Sequence, residues 1–159
     1  EINYSYENKE TNLLKQSKHF YNYKMGLEIF SENKIIGVGN KKFREECLKK
    51  KDKIDEVYFA FGCSTHPHQT YIEILSENGL IGFFLIFFIS VNFIYFNFKK
   101  FLSTKNIIHL STLLFFVLLW IPFLPYGSFF STTSFSLTII NISLARFYSL
   151  NDYFFKDNK

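Results

Sequence analysis

The sequence predicts an all-α integral membrane protein, in which a mostly helical polar loop is followed by three transmembrane helices. Three observations carry that expectation. Residues 1–78 hold twelve Lys/Arg and twelve Asp/Glu, so this half is charged and electrically balanced. Residues 79–159 hold six basic residues against Asp152 and Asp157. The net charge of +4 therefore falls in the second half, in short clusters beside three uncharged apolar runs at 79–98, 107–124 and 129–145. Basic clusters that flank apolar runs form a membrane-topology pattern. A nucleic-acid footprint would gather them on one soluble face instead, so no nucleic-acid partner is expected.

Residues 1–19 are polar and rich in Asn, Lys and Glu, and read as a loop or marginal helix. The first residues resemble no signal peptide, and the chain begins with Glu1 rather than Met. We therefore expect a piece of a longer protein, with further transmembrane helices upstream and no activity of its own. The spacing Phe20, Tyr23, Leu27, Phe30, with Met25 and Ile29 beside it, predicts a helix over 20–30. Lys34–Asn40 reads as an extended piece ending in a tight turn, because Gly37 and Gly39 can take positive φ. Lys41–Lys53 reads as a charged helix, and Ile54–Gly62 as an aromatic loop.

A new helix is expected near Ser64 or Thr65, either of which can cap it, with Pro67 in the first turn where its missing N–H costs nothing. Gly79–Phe98 is twenty residues without a charge, long enough to cross a bilayer. Lys99 and Lys100 stop it, and 99–106 forms a basic loop. Ile107–Leu124 is a second uncharged run, with Trp120 near the end where an interface favours such a ring. Residues 125–128 make a turn free of Lys and Arg, 129–145 a third and weaker span, and 146–159 a basic tail. The positive-inside rule then puts 99–106 and the tail in the cytoplasm. By alternation, residues 1–78 and the 125–128 turn face outward, which in a bacterium with two membranes is the periplasm.

Within this frame, chemistry concentrates in Cys63–Gly82, where the polar half meets the apolar one. A histidine in the first turn of a helix is held neutral by the dipole and could act as a general base. His68 fits that description, and a packing role is the competing reading. His66 could share the work or help cap the helix. Cys63, His66 and His68 have a spacing that could be read as a metal set, but His66 and His68 straddle Pro67 and are expected to point apart, so no metal site is expected. Cys47 and Cys63 are the two cysteines and form an even pair in a segment placed outside the cytoplasm, which favours a disulfide. Arg44, with Lys24, Lys41 and Lys42, could bind an anion or lie on a solvated face balanced by Glu45 and Glu46. Glu73 and Glu77 lie one helical turn apart and are expected to face water above the membrane.

The stretch His66-Pro67-His68-Gln69-Thr70-Tyr71-Ile72, continuing to Glu77-Asn78-Gly79-Leu80-Ile81-Gly82, resembles the signature of the O-antigen ligase and polymerase family. Upstream, Gly26–Phe30 and Lys34–Gly39 are similar to that family's loop helix and Gly-Val-Gly turn. Downstream, Pro125–Phe130 looks like a short outward turn between late spans. The resemblance covers roughly residues 17–148. It implies a metal-independent, cofactor-free glycosyltransferase of the bacterial inner membrane. Such an enzyme takes a glycan from an undecaprenyl-diphosphate carrier and gives it to a hydroxyl of lipid A core or of another glycan. It also implies His68 as the catalytic base and Arg44 at the diphosphate, where we expect His66 to contribute as well. Two departures accompany it: Gln69 stands where Asn is usual, and His19 stands near a position where an arginine is common. The competing class is a non-catalytic transporter or sensor fragment. A transporter would place ionisable groups inside its spans, and here only His109 lies in one. A sensor would need an output domain longer than the tail.

Overall fold

The computed structural model describes residues 18–121 and 127–156. It contains six α-helices and, among the described residues, no strand: α1 (Lys18–Glu32), α2 (Phe43–Leu48), α3 (Glu56–Gly62), α4 (Thr70–Thr104), α5 (Ile107–Leu119) and α6 (Thr132–Lys156), with a 3₁₀ turn at Lys51–Lys53. The predicted Pro125-Tyr126 turn lies outside the described residues, as does the expected loop over 1–17.

The polar half is organised on α1. Its Met25 and Ile29 are fully buried against Phe43 and Cys47 of α2, with Val38, Ile54, Tyr58 and Cys63 closing the cluster. Cys47 and Cys63 are bonded through their sulfurs, with Cα atoms 5.6 Å apart, and this ties α2 to the end of α3. Residues 54–62, expected as a loop, form α3 instead. Asp55 is the reason: its Oδ2 accepts the N–H groups of Val57 and Tyr58 and so caps a helix too short to show periodicity. The charged helix expected over 41–53 is shorter, confined to Phe43–Leu48, where Phe43 and Cys47 can both be buried.

The second half is built on α4, the one helix among those described that is both long and apolar enough to cross a membrane. From Leu80 to Phe98 its apolar residues are largely exposed, including Phe84, Leu85, Phe88, Ile89 and Tyr95. A helix that shows large apolar groups on most sides is suited to lipid rather than water. Its thirteen-residue neighbour α5 is apolar but, at 1.5 Å per residue, spans about 20 Å against the ~30 Å of a hydrocarbon core. The twenty-five-residue α6 is long enough yet richer in Ser, Thr and Asn. Between α4 and α5, Asn97 and His109 are fully buried and bonded to one another, Oδ1 to Nδ1 at 2.9 Å.

One joint couples the two halves. In an unbroken helix the N–H of Leu80 would donate to Ser76 and that of Ile81 to Glu77. Here α4 is broken at Gly79, whose φ of 63° and ψ of −166° suit only glycine. Leu80 and Ile81 donate instead to the carbonyls of Lys34 and Ile35, while Ser76 and Glu77 accept the N–H groups of Val38 and Gly39. The 34–39 segment is thus a series of turns clasped into the break, not the extended piece expected, although Gly37 and Gly39 do take positive φ. A Cβ on Gly37 would stand 2.4 Å from the Glu77 carbonyl, and one on Gly79 2.4 Å from the Ile35 carbonyl oxygen.

Candidate functional site

The site begins with the loop between α3 and α4. The expected helix start at Ser64 or Thr65 is not observed: α4 starts at Thr70, capped by Gln69, whose Oε1 accepts the Ile72 N–H at 2.8 Å. Pro67 accounts for the delay, because the residue before a proline is pushed out of the helical region. His68 then turns back in a left-handed conformation, φ 56°. It therefore lies just ahead of the cap rather than in the first helical turn.

That geometry gathers histidines. The rings of His66 and His68 lie with centroids 4.1 Å apart, so they do not point away from one another as expected. A third ring, His19 from the start of α1, meets His68 edge-on at 5.4 Å. Sequence reading noted His19 only as standing near a position where an arginine is common in the resembled family, and did not place it beside His68. Three of the chain's four histidines lie in this half. α1 can approach so closely because Gly26 faces Pro67 and Ile72, where a Cβ would come within 2.3 Å of the Ile72 side chain.

The electrostatics favour a neutral His68. Burial lowers its pKa first, and the neighbouring His66 and His19 lower it further. The helix dipole invoked from the sequence is replaced by desolvation and by like groups. His66 fixes one ring nitrogen, Nδ1, against the Thr65 hydroxyl at 2.9 Å. Its Nε2, the Nδ1 of His19 and the hydroxyl of Tyr23, one turn along α1, are buried with no hydrogen-bond partner. Buried polar atoms without partners are rare and costly, which makes this cluster chemically unsaturated.

The two glutamates beside it are not. Both are 1% exposed, contrary to the expectation that they face water. Glu77 reaches across to the start of α2, where its carboxyl group accepts the N–H of Lys41 at 2.7 Å and of Phe43 at 3.3 Å. Glu73 holds the turn before α6, accepting from Ser128 Oγ at 2.5 Å and the Phe129 N–H at 2.8 Å. Beside it, the Tyr71 hydroxyl donates to the Trp120 carbonyl, and Ile74 packs with Leu119 and Phe129. The carboxylates are thus occupied in holding two distant segments onto the first turns of α4, and the Tyr71 hydroxyl holds a third.

The basic group imagined around Arg44 is not assembled. Lys24 lies over the Tyr58 ring at 4.5 Å, and Lys42 pairs with Glu45 at 2.5 Å on an exposed face. Arg44 is exposed on α2, and among the described residues no contact joins it to the histidines. Its helix is anchored to Glu77, two turns along α4 from the cap. No group of three or more His, Cys, Asp or Glu among the described residues has the arrangement of a metal site.

Comparison with known proteins agrees with the layout of this half of the chain. No curated protein and no solved structure matches it. The family model described as O-antigen ligase matches residues 5–87, which is 83 of 159 residues and more than half the chain. The match takes in α1, the clasp, the disulfide, the histidine cluster and the start of the apolar run. The chain belongs to the O-antigen ligase family.

Proposed function

We propose that this chain carries the catalytic loop of a glycosyltransferase that moves a glycan from an undecaprenyl-diphosphate carrier to a sugar hydroxyl, either of lipid A core or of another glycan. Residues 1–78 would face the periplasm of the inner membrane, with spans at 79–98, 107–124 and 129–145. The observation that carries the reading is His68, part-buried and kept neutral, in a cluster of histidines directly ahead of the lipid-facing helix. A group that starts the reaction as a base must be unprotonated at working pH, and burial among other imidazoles achieves that.

In the reaction, His68 takes the proton from the acceptor hydroxyl as that oxygen attacks the anomeric carbon of the donor sugar. The bond from that carbon to the carrier's diphosphate breaks, and the diphosphate leaves with the electron pair. His66, through its unpartnered Nε2, and Arg44, exposed and unpaired, are the groups to meet the leaving charge. The scheme rests on proton transfer and fixed cations, so it calls on no metal or organic cofactor. The position of the cluster also suits a lipid-borne donor, because the diphosphate of such a carrier lies at the depth where an apolar helix begins.

The decisive experiment is His68→Ala in the full-length protein, assayed for glycan transfer with membrane insertion measured in parallel. Loss of transfer with normal insertion is the expected result. Transfer at the wild-type rate would remove His68 from the mechanism. Lipopolysaccharide banding in a strain lacking the gene then separates the two acceptors: loss of all capped core marks a ligase, and capping by single repeats marks a polymerase.

A further inference from the structure

At the end of α4 opposite the histidines lies an open groove of about 1120 Å³ that the glycan chemistry does not use. Its floor is apolar and aromatic, with Phe93, Phe96 and Leu102 from α4, and its rim carries Lys99 and Lys100 from α4 and Arg146 from α6. These cations come from positions 46 residues apart in sequence and converge at the level where both helices leave their apolar runs. Lys99 Nζ lies 4.6 Å over the Tyr95 ring, and both Lys99 and Arg146 are exposed. The sequence has no Asp or Glu between Glu77 and Asp152.

We propose that this groove binds an anionic phospholipid, with an acyl chain along Phe93 and Phe96 and the phosphate among Lys99, Lys100 and Arg146. The combination selects the occupant. Water would leave the aromatic floor exposed, and a second copy of the same groove would bring three like charges against three. An apolar protein helix would bury the exposed Lys99 and Arg146 heads against a surface that offers no charge, at high cost. A lipid with a negative headgroup satisfies floor and rim together, because basic residues at a membrane surface each add an attraction of about fivefold in affinity for anionic lipid. Phosphatidylglycerol is the simplest probe, since it differs from phosphatidylcholine in net charge and not in chain chemistry.

The test is native mass spectrometry of the detergent-solubilised full-length protein, titrated with equimolar phosphatidylglycerol and phosphatidylcholine of matched chains. The wild type should retain phosphatidylglycerol in excess, and the excess should shrink as ionic strength rises. The K99Q/K100Q/R146Q variant should lose about two orders of magnitude of that preference, while K99R/K100R keeps it. A photoreactive side chain at Phe96 should label lipid. Equal retention of the two lipids by the wild type, an unchanged preference in the triple variant, or labelling of protein rather than lipid at Phe96 would each overturn the proposal. The wild-type and labelling arms decide the matter even if the triple variant is poorly folded.

Discussion

The clasp at Gly79 makes a quantitative prediction, because two arrangements of the same backbone compete there. With Gly79→Ala, the new Cβ would stand 2.4 Å from the Ile35 carbonyl oxygen, and the backbone would be asked to keep a φ and ψ reserved for glycine. That conformation alone costs about 1–3 kcal/mol for a residue with a side chain. The helix can escape by straightening, which returns Leu80 to Ser76 and Ile81 to Glu77. The escape removes the partners of Val38 and Gly39 and of the Lys34 and Ile35 carbonyls. Two net hydrogen bonds are then lost, worth about 1–3 kcal/mol together. Those two bonds favour the clasp in both proteins, so the change between them is the strain at residue 79 plus the roughly 1 kcal/mol by which Ala favours the straight helix over Gly, about 2–4 kcal/mol together. Amide hydrogen exchange in detergent or nanodiscs reads this directly: Val38 and Gly39 should exchange about 30 to 10³ times faster in the variant, if opening of the clasp governs their exchange. Ile36→Ala, at an exposed position of the same loop, should leave both amides within a few-fold of wild type. Wild-type exchange at Val38 and Gly39 in Gly79→Ala would show that the loop is held by something other than the break, and the two-state argument would fail.

Three further perturbations test separate parts of the site. Glu73→Ala leaves the Ser128 hydroxyl and the Phe129 N–H without their acceptor, a cost of about 2–5 kcal/mol. The single Trp120, packed on Tyr71 and Phe87, should then shift its emission to the red, whereas unchanged emission would mean the turn is held without Glu73. Replacing both Cys47 and Cys63 by Ser should cost about 3 kcal/mol by the loop-closure argument, and mass analysis without reductant should find the two residues linked. Two free thiols in material from an oxidising compartment would refute the linkage. For His68 the lowered pKa fixes the sign of a pH effect. Its contribution to stability is present above the ordinary imidazole value of about 6.5 and is lost as pH falls through the lowered one. An NMR titration should show His68 protonating below that ordinary range, and His19→Gln should move its midpoint upward. An unmoved midpoint would show that the His19 ring does not act on it.

The parts of this fold that were legible in the sequence are those whose signal is local. The apolar spacing over 20–30 announced α1, although the buried face holds Met25 and Ile29 while Leu27 is exposed, and the uncharged run from Gly79 became the exposed apolar length of α4. Glycine at 37 and 39 announced unusual backbone, and both take positive φ, as does Gly79 inside α4. What stayed hidden depends on partners far along the chain. Glu77 looked like a solvated helix residue because the N–H groups it accepts belong to Lys41 and Phe43, thirty-four or more residues earlier. Glu73 was hidden for the same reason, its partners lying fifty-five residues later. The missed α3 and the displaced start of α4 have a different cause. Seven residues are too few for periodicity to separate helix from loop, and a proline can open a helix or delay it. Asp55 and Gln69, both with side chains that accept an N–H two or three residues on, were the better guides.

Accounting for hydrogen bonds across 63–82 also narrows where chemistry can occur. A side chain that already holds the fold together can serve a substrate only by letting go of its partner, and the loss would be felt in stability before it was felt in rate. Gln69 is spent on the cap, Glu73 on the turn before α6, Ser76 on the carbonyl of Glu73, and Glu77 on the start of α2. Outside that set, the buried side-chain atoms without partners among the described residues include His19 Nδ1, the Tyr23 hydroxyl, His66 Nε2 and Asn78 Nδ2; the His19 and His66 rings meet His68, and the Tyr23 ring meets His19. On the proposed mechanism, the carboxylates then build the site and the histidines act in it. Variants of the two classes should divide accordingly. Glu73 and Glu77 substitutions should lower thermal stability and transfer together, whereas His68→Ala should abolish transfer at nearly wild-type stability. A carboxylate variant that keeps its stability and loses transfer would reverse the assignment.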